Sequence, residues 1–179
     1  MTRNDIITIP SPLLRTKSQR ISYIDEDIKQ LASDMMAATL DWEDHREHES
    51  GAALAAVQVA RNVRLVIIRQ DFEDKTNRAF NVLVNPEIVK AEGEPHESME
   101  GCLSVGDLYG RVMRFPKVKV KALDLEGHPV RITATGFLAE VLQHEIDHTN
   151  GIVFVDRITD PSKLFHLQPD GKFIAVKAR

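Results

Sequence analysis

The residues of this chain whose types and spacing could do chemistry are concentrated in Gln143-His144-Glu145-Ile146-Asp147-His148. On a helix, positions four apart lie almost one above the other, with side-chain roots about 5–6 Å apart. His144 and His148 can therefore grip one metal ion, and Glu145 on the flank of the same face can take a proton from a water bound there. Two solvated histidines on a surface helix would be the plain alternative. The apolar run just upstream (Phe137, Leu138, Ala139, Val141, Leu142) argues instead for a buried helix. Burying two imidazoles and two carboxylates together is costly unless they coordinate or pair.

Two histidines do not complete a site. A metzincin-type zinc protease would continue His-x-x-Gly-x-x-His after the second histidine. This chain begins that way, with Thr149, Asn150 and Gly151, but has Phe154 at the next required position. A thermolysin-like site draws a glutamate from further along the chain, and none follows Glu145. Both readings as an endopeptidase are disfavoured, and the third ligand comes from upstream. The single cysteine, Cys102, cannot form an intrachain disulfide; it is a buried hydrophobe, a nucleophile or a ligand.

The elements that must position these residues can be read in outline. Ile9-Pro10-Ser11-Pro12 is an extended entry, because each proline fixes its own backbone and restricts the residue before it. From Asp25 to Leu40, apolar residues at 28, 31, 32, 35, 36 and 38 form the stripe of an amphipathic N-terminal helix. Asp41–Ser50 is hydrophilic; its His45 and His48 lack companions for a second metal site, so it reads as a solvated loop. Gly51-Ala52-Ala53-Leu54-Ala55-Ala56-Val57-Gln58 is small and apolar, as suits a segment approached closely by another backbone. Residues 63–68 and 82–89 are short β-branched strands, the second with a bulge or edge at Pro86. Lys117–Ala122 alternates strictly, Glu126-Gly127 supplies a turn, and Val130–Thr133 returns, so a hairpin leads into the helix of His144. Ile152–Val155 reads as a last short strand. These elements predict an α+β fold, with short, mostly antiparallel strands packed around a central His-Glu-x-x-His helix, in one domain over residues 1–179.

Composition narrows the class. The chain has 179 residues, 42% hydrophobic, with a net charge of −4, which is enough for a real core and carries no basic stripe for nucleic acid. No apolar run reaches the ~20 residues of a membrane span, and Met1–Asp5 is not a signal-peptide core. A cytoplasmic protein is expected. Three basic residues fall among the last eight.

Three segments in order, Gly51–Gln58, Glu100-Gly101-Cys102-Leu103-Ser104 and Gln143–His148, resemble the motifs of peptide deformylases, and the likeness runs from about Leu14 to Arg157. The departures are Ala53, where the family has a second glycine, Val57 in place of a common proline, Ser98 where an apolar pocket residue is common, and a longer Asp41–Ser50 stretch. The resemblance implies that Cys102 joins His144 and His148 around one divalent ion, natively ferrous iron, with zinc, nickel or cobalt accepted. It implies Glu145 as the catalytic acid and base, with the Gln58 amide and the Leu103 backbone N–H as oxyanion donors. Phe137 and Val141 would line a methionine pocket with Arg114 near its mouth, and an extended peptide would lie along Gly51, Ala52, Ala53 and Gly101. The implied substrates are N-formylmethionyl nascent polypeptides, met near the ribosome, with no membrane involved. Two finer expectations concern pairing and backbone: Lys121 should neutralise Asp147, and Ala53 should have an ordinary φ, so that only its methyl intrudes.

Overall fold

In the computed structural model, which describes residues 1–74 and 76–176, the first long helix starts where the sequence supplies a cap. The Asp25 carboxylate accepts the Ile28 N–H at 3.0 Å, and Glu26 and Asp27 sit in the first turn, where the helix dipole favours negative charge. This helix, α1, spans Glu26–Glu43. It passes the expected end at Leu40 because the buried stripe Ile28, Leu31, Ala32, Met35, Ala38, Thr39 continues in register to Trp42.

The strands follow as β1 (Ala53–Ala55), β2 (Leu65–Arg69), β3 (Phe80–Glu92), β4 (His96–Cys102), β5 (Gly106–Arg114), β6 (Lys117–Leu123) and β7 (Pro129–Thr135). Helix α2 (Gly136–Thr149) comes next, and β8 (Leu164–Leu167) and β9 (Phe173–Ala175) close the chain. All strand pairs are antiparallel, in two sheets ordered β1-β2-β3-β6-β7 and β4-β5-β8-β9. The expectation of an α+β chain with mostly antiparallel strands is met.

Alternation along the first sheet explains its two covers. Leu54, Leu65, Ile67 and Val84 join the cluster of α1, whereas Ala53, Ala55, Val66, Ile68, Leu83, Val118, Val120 and Ala122 join that of α2. A strand covered on both faces reads as a nearly continuous apolar run, as Leu65–Ile68 of β2 does, and the buried Arg69 that ends it is paired with Glu43. Each such Leu, Ile or Val is worth roughly 1.5–3 kcal/mol when fully buried. Pro86 sits where the β3–β6 register slips, between Val84 and Glu87, as expected of a residue that cannot donate to a ladder. Asn85 beside it has φ +54°, and its amide is tied to both backbone groups of Ile21.

Three expectations are corrected. Ile152–Val155 is not a strand: Phe154–Arg157 forms a 3-10 turn that buries Phe154 beside Leu14, Cys102 and Val112. Asp41–Ser50 is not wholly a solvated loop, since α1 occupies its start and Trp42 is buried. Lys121 does not meet Asp147. It lies on the outer face of β6, half exposed, 3.2 Å from Glu87, while α2 packs on the inner face. No helix among the described residues is long and apolar enough to cross a membrane. Lys177 and Arg179 of the basic tail lie outside the described residues.

Candidate active site

Cys102 ends β4, at an irregularity where the ladder passes from Glu100↔Gly110 to Cys102↔Gly106. Gly101 is required there by close approach: a Cβ would stand 2.4 Å from the Tyr109 ring. His144 and His148 come from the buried side of α2, one turn apart. Cys102 Sγ lies 3.2 Å from His148 Nε2, which in turn lies 3.2 Å from His144 Nε2. These are the only three candidate metal-ligand side chains that converge in this way among the described residues; His45 and His48 have no such company.

The surroundings orient the donors. His144 Nδ1 is 2.8 Å from a Glu100 carboxylate oxygen, so Nδ1 donates and the Nε2 lone pair faces Cys102 and His148. Burial pushes His144 down, but Cys102 and Glu100 outweigh it and hold the imidazole well above its ordinary value, so a proton has to leave Nε2 before its lone pair can serve an ion. Burial and the neighbouring His144 and Arg114 drive His148 the other way. One thiol and two imidazole nitrogens whose ligand atoms all lie within 4.8 Å of one another fit the donor set that holds a divalent ion of borderline softness.

Glu145 lies beside them, buried, with Oε2 lacking a hydrogen-bond partner. Burial raises its carboxyl to about 7, where a group exchanges protons most effectively near neutrality. Gln58 is fully buried in the 3-10 turn after β1. Its Oε1 accepts the Ala55 N–H at 2.8 Å, which leaves Nε2 to reach Ser104 Oγ at 3.1 Å and Cys102 Sγ at 3.5 Å.

A cavity of about 200 Å³ opens from this cluster, and Cys102, Leu103, Gln58, His144, Glu145, Ala52, Ala53, Gly101, Phe137 and Val141 all line it. Gly51 stands behind the wall, giving its N–H to Glu43 at 2.8 Å, in a place where a Cβ would strike Thr39 at 2.5 Å. Ala53 is paired with Ile68 in β1 and is not among the residues with positive φ, as expected. Arg114 is not at the cavity mouth. It is 2% exposed and donates to both Glu100 oxygens at 2.5 and 3.0 Å and to Asp147 at 2.6 Å. Arg157 completes the cage around Asp147 at 2.5 Å.

Sequence reasoning missed several lining residues, Met99 and Glu100 of β4 and Tyr109 of β5 among them. Trp42, Glu49 and Ser50 come from the stretch read as a loop, and Glu140 comes from α2. Glu140 had a signal: it is four residues before His144, on the same helical face. Tyr109 fixes Glu49 by donating its hydroxyl at 2.5 Å and packs edge-on against Phe173 of β9 with centroids 4.9 Å apart.

Known proteins resemble this chain over most of its length. A family model described as polypeptide deformylase matches residues 3–164. A peptide deformylase of Thermomicrobium roseum is 44% identical over 95% of this chain and 93% of its own length. One of Clostridium acetobutylicum, peptide deformylase 2, is 41% identical over 83% of this chain and 90% of its own. Among solved structures, a Synechococcus elongatus peptide deformylase in complex with actinonin superposes with a TM-score of 0.78 at 35% identity, covering 87% of this chain and 80% of that one. A Legionella pneumophila peptide deformylase gives 0.74 at 43% identity, covering 86% and 85%. With the family model spanning most of its length, the chain belongs to the polypeptide deformylase family.

Proposed function

We propose that this chain removes the N-formyl group from the initiator methionine of newly made polypeptides, using the Cys102–His144–His148 cluster as its metal site. The reaction is hydrolysis of a formamide: water adds to the formyl carbon, the C–N bond breaks, and formate and a free N-terminal amine are released. A divalent ion held by the cluster supplies Lewis acidity towards the formyl oxygen and acidity to the attacking water.

The chain's own residues do the rest. Cys102 and the two Nε2 atoms would hold the ion, and the Glu100 carboxylate at His144 Nδ1 favours the coordinating tautomer. Glu145 takes a proton from the attacking water and passes it to the departing amine, a transfer suited to a buried carboxyl raised to about 7. Gln58 Nε2 and the Leu103 backbone N–H donate to the developing oxyanion, and one such donor is typically worth ~3–4 kcal/mol. Val141, Phe137, Ala52 and Ala53 form the apolar part of the groove for the first side chain. The peptide runs between β1 and β4, the edge strands of the two sheets, where Ala53 and Gly101 offer backbone to an added strand. Arg114 acts beneath the site by holding Glu100 and Asp147, not on the peptide.

The likeness to the deformylase family is what favours ferrous iron as the native ion, with zinc, nickel or cobalt able to replace it, because a thiolate with two imidazoles accepts any of the four. The substrates place the protein in the cytoplasm, working on chains near the ribosome as one domain. The convergence of Cys102, His144 and His148 beside the unpartnered Glu145 carries this reading. Its test is formate release from formyl-Met-Ala-Ser by protein purified without oxygen, with metal content measured alongside. Stoichiometric formate that disappears on chelation and returns with added ferrous ion is expected. Cleavage of an internal peptide bond instead, or no formate from the fully loaded protein, would overturn it.

A further inference from the structure

Helix α2 presents Phe137, Glu140, Val141 and His144 at spacings of three and four, so they share one face, and all four line the cavity. Three of them suit an apolar side chain beside a metal centre; Glu140 does not. Its side chain is only 18% exposed. One oxygen accepts the buried Ser98 hydroxyl at 2.6 Å, and the other lies 2.9 Å from His96 Nε2. Ser98 and His96 both come from β4, so the opposite wall supplies the hydrogen bonds that hold Glu140 in place. Among the described residues no lysine or arginine pairs with it.

A carboxylate has about four acceptor positions, and these contacts use two. The remaining capacity belongs to a group lining the same cavity. Methionine cannot use it, because a thioether is a weak acceptor with no donor. Covering the carboxylate with methionine therefore strips it of water without replacement, which opposes binding. A first side chain ending in an amide or ammonium would bring its own donor.

Resting on the deformylase reading above, we propose that Glu140, held by Ser98 and His96, is a specificity-determining residue that accepts a hydrogen bond from the first side chain of the substrate. The side-chain site is thus mixed, with an apolar stem wall of Phe137 and Val141 and an acidic wall at Glu140. The chain deformylates N-formyl peptides that begin with long donor-ended residues, glutamine and lysine, in addition to formyl-methionine. Each reaction has the same balance: water in, formate and a free amine out.

The test compares kcat/KM for formyl-Met-Ala-Ser, formyl-norleucyl-Ala-Ser, formyl-Gln-Ala-Ser and formyl-Lys-Ala-Ser on the metal-loaded protein. Wild type is expected to process the glutamine and lysine peptides within about tenfold of the methionine peptide, a gap of the size one mismatched contact produces. Glu140→Leu should slow both donor-ended substrates at least about tenfold and speed the methionine and norleucine peptides, mostly through KM. Glu140→Gln keeps the shape and a neutral acceptor, so it should retain formyl-glutamine and lose formyl-lysine. That variant also serves if Glu140→Leu does not fold, with metal content and thermal transition measured for each. Formyl-methionine turnover with the glutamine and lysine peptides a thousandfold slower, and substrate ratios unmoved by either variant, would overturn the proposal. Failure on all four peptides would instead remove the deformylase reading beneath it.

Discussion

Replacing Arg114 by methionine keeps a flexible unbranched stem and removes the charge that holds two carboxylates together. Arg114 is 2% exposed, with three hydrogen bonds of 2.5 to 3.0 Å to Glu100 and Asp147. Breaking a buried pair of this kind typically costs ~3–5 kcal/mol, because the abandoned charge stays buried. Here each carboxylate keeps one other partner: Glu100 has His144, and Asp147 has the partly exposed Arg157. The loss should therefore fall at the lower end, about 3 kcal/mol, still a large share of a typical 5–15 kcal/mol total. Urea unfolding of chelator-treated protein at neutral pH measures it, the slope remaining unchanged. Adding Glu100→Gln to Arg114→Met should recover part of the loss, since one orphaned charge is gone.

Acid supplies a second reading of the same cage. Burial pushes the Glu100 carboxyl up, but hydrogen bonds from His144 and Arg114 outweigh it and bring it to about 2, below its ordinary 4.5. A depressed carboxyl stabilises the fold above its unfolded value, and that contribution is lost as pH falls from about 4.5 towards 2. Arg114→Met should flatten this acid limb. A variant within about 1 kcal/mol of wild type, with an unchanged acid limb, would refute the view that Arg114 carries the cage.

Glu145→Gln should keep one equivalent of metal and lose about two to four orders of magnitude in turnover; loss of the metal would show that Glu145 is a ligand. Ala53→Gly should lower KM as the methyl leaves the groove, at a cost of about 0.5–1 kcal/mol for glycine in a strand; a gain in stability would contradict the ordinary backbone at this position. Lys121→Met should change stability by less than about 0.5 kcal/mol, because Lys121 and Glu87 are 51% and 45% exposed; a multi-kcal/mol loss in the same urea assay would tie Lys121 to the core after all.

The helix of His144 was legible because its apolar run and its histidine spacing obey one period. The β6–β7 hairpin was legible because alternation there is strict. That same alternation contained the correction to Lys121: with Val118, Val120 and Ala122 turned towards α2, Lys121 has to face away from it. Strands β4 and β5 gave no apolar pattern. The inward positions of β4 carry Ser98 and Glu100, which are buried because they serve Glu140, His144 and Arg114, and binary patterning does not detect polar groups turned inward. Strands β8 and β9 were silent for another reason, since β8 is only partly buried and β9, at the edge of the sheet, is exposed throughout. Cys102 as the companion of the histidines followed from the motif resemblance, since a lone cysteine has several ordinary explanations.

The two sheets share no ladder, and the cluster lies across the seam between them. Cys102 belongs to the four-stranded sheet, whereas His144 and His148 ride on the helix that covers the five-stranded one. An ion gripping all three is thus a clasp, closing a loop between Cys102 and His148, 46 positions apart. The chain-entropy model of a disulfide over such a span gives about 4 kcal/mol. Opening the clasp frees β4 and β5 before it frees the helix-covered sheet, so amide exchange should rise first along His96–Arg114. Oxidation of the one thiol would open such a clasp as chelation would, so limited proteolysis of oxidised or chelated protein should cut first within these strands.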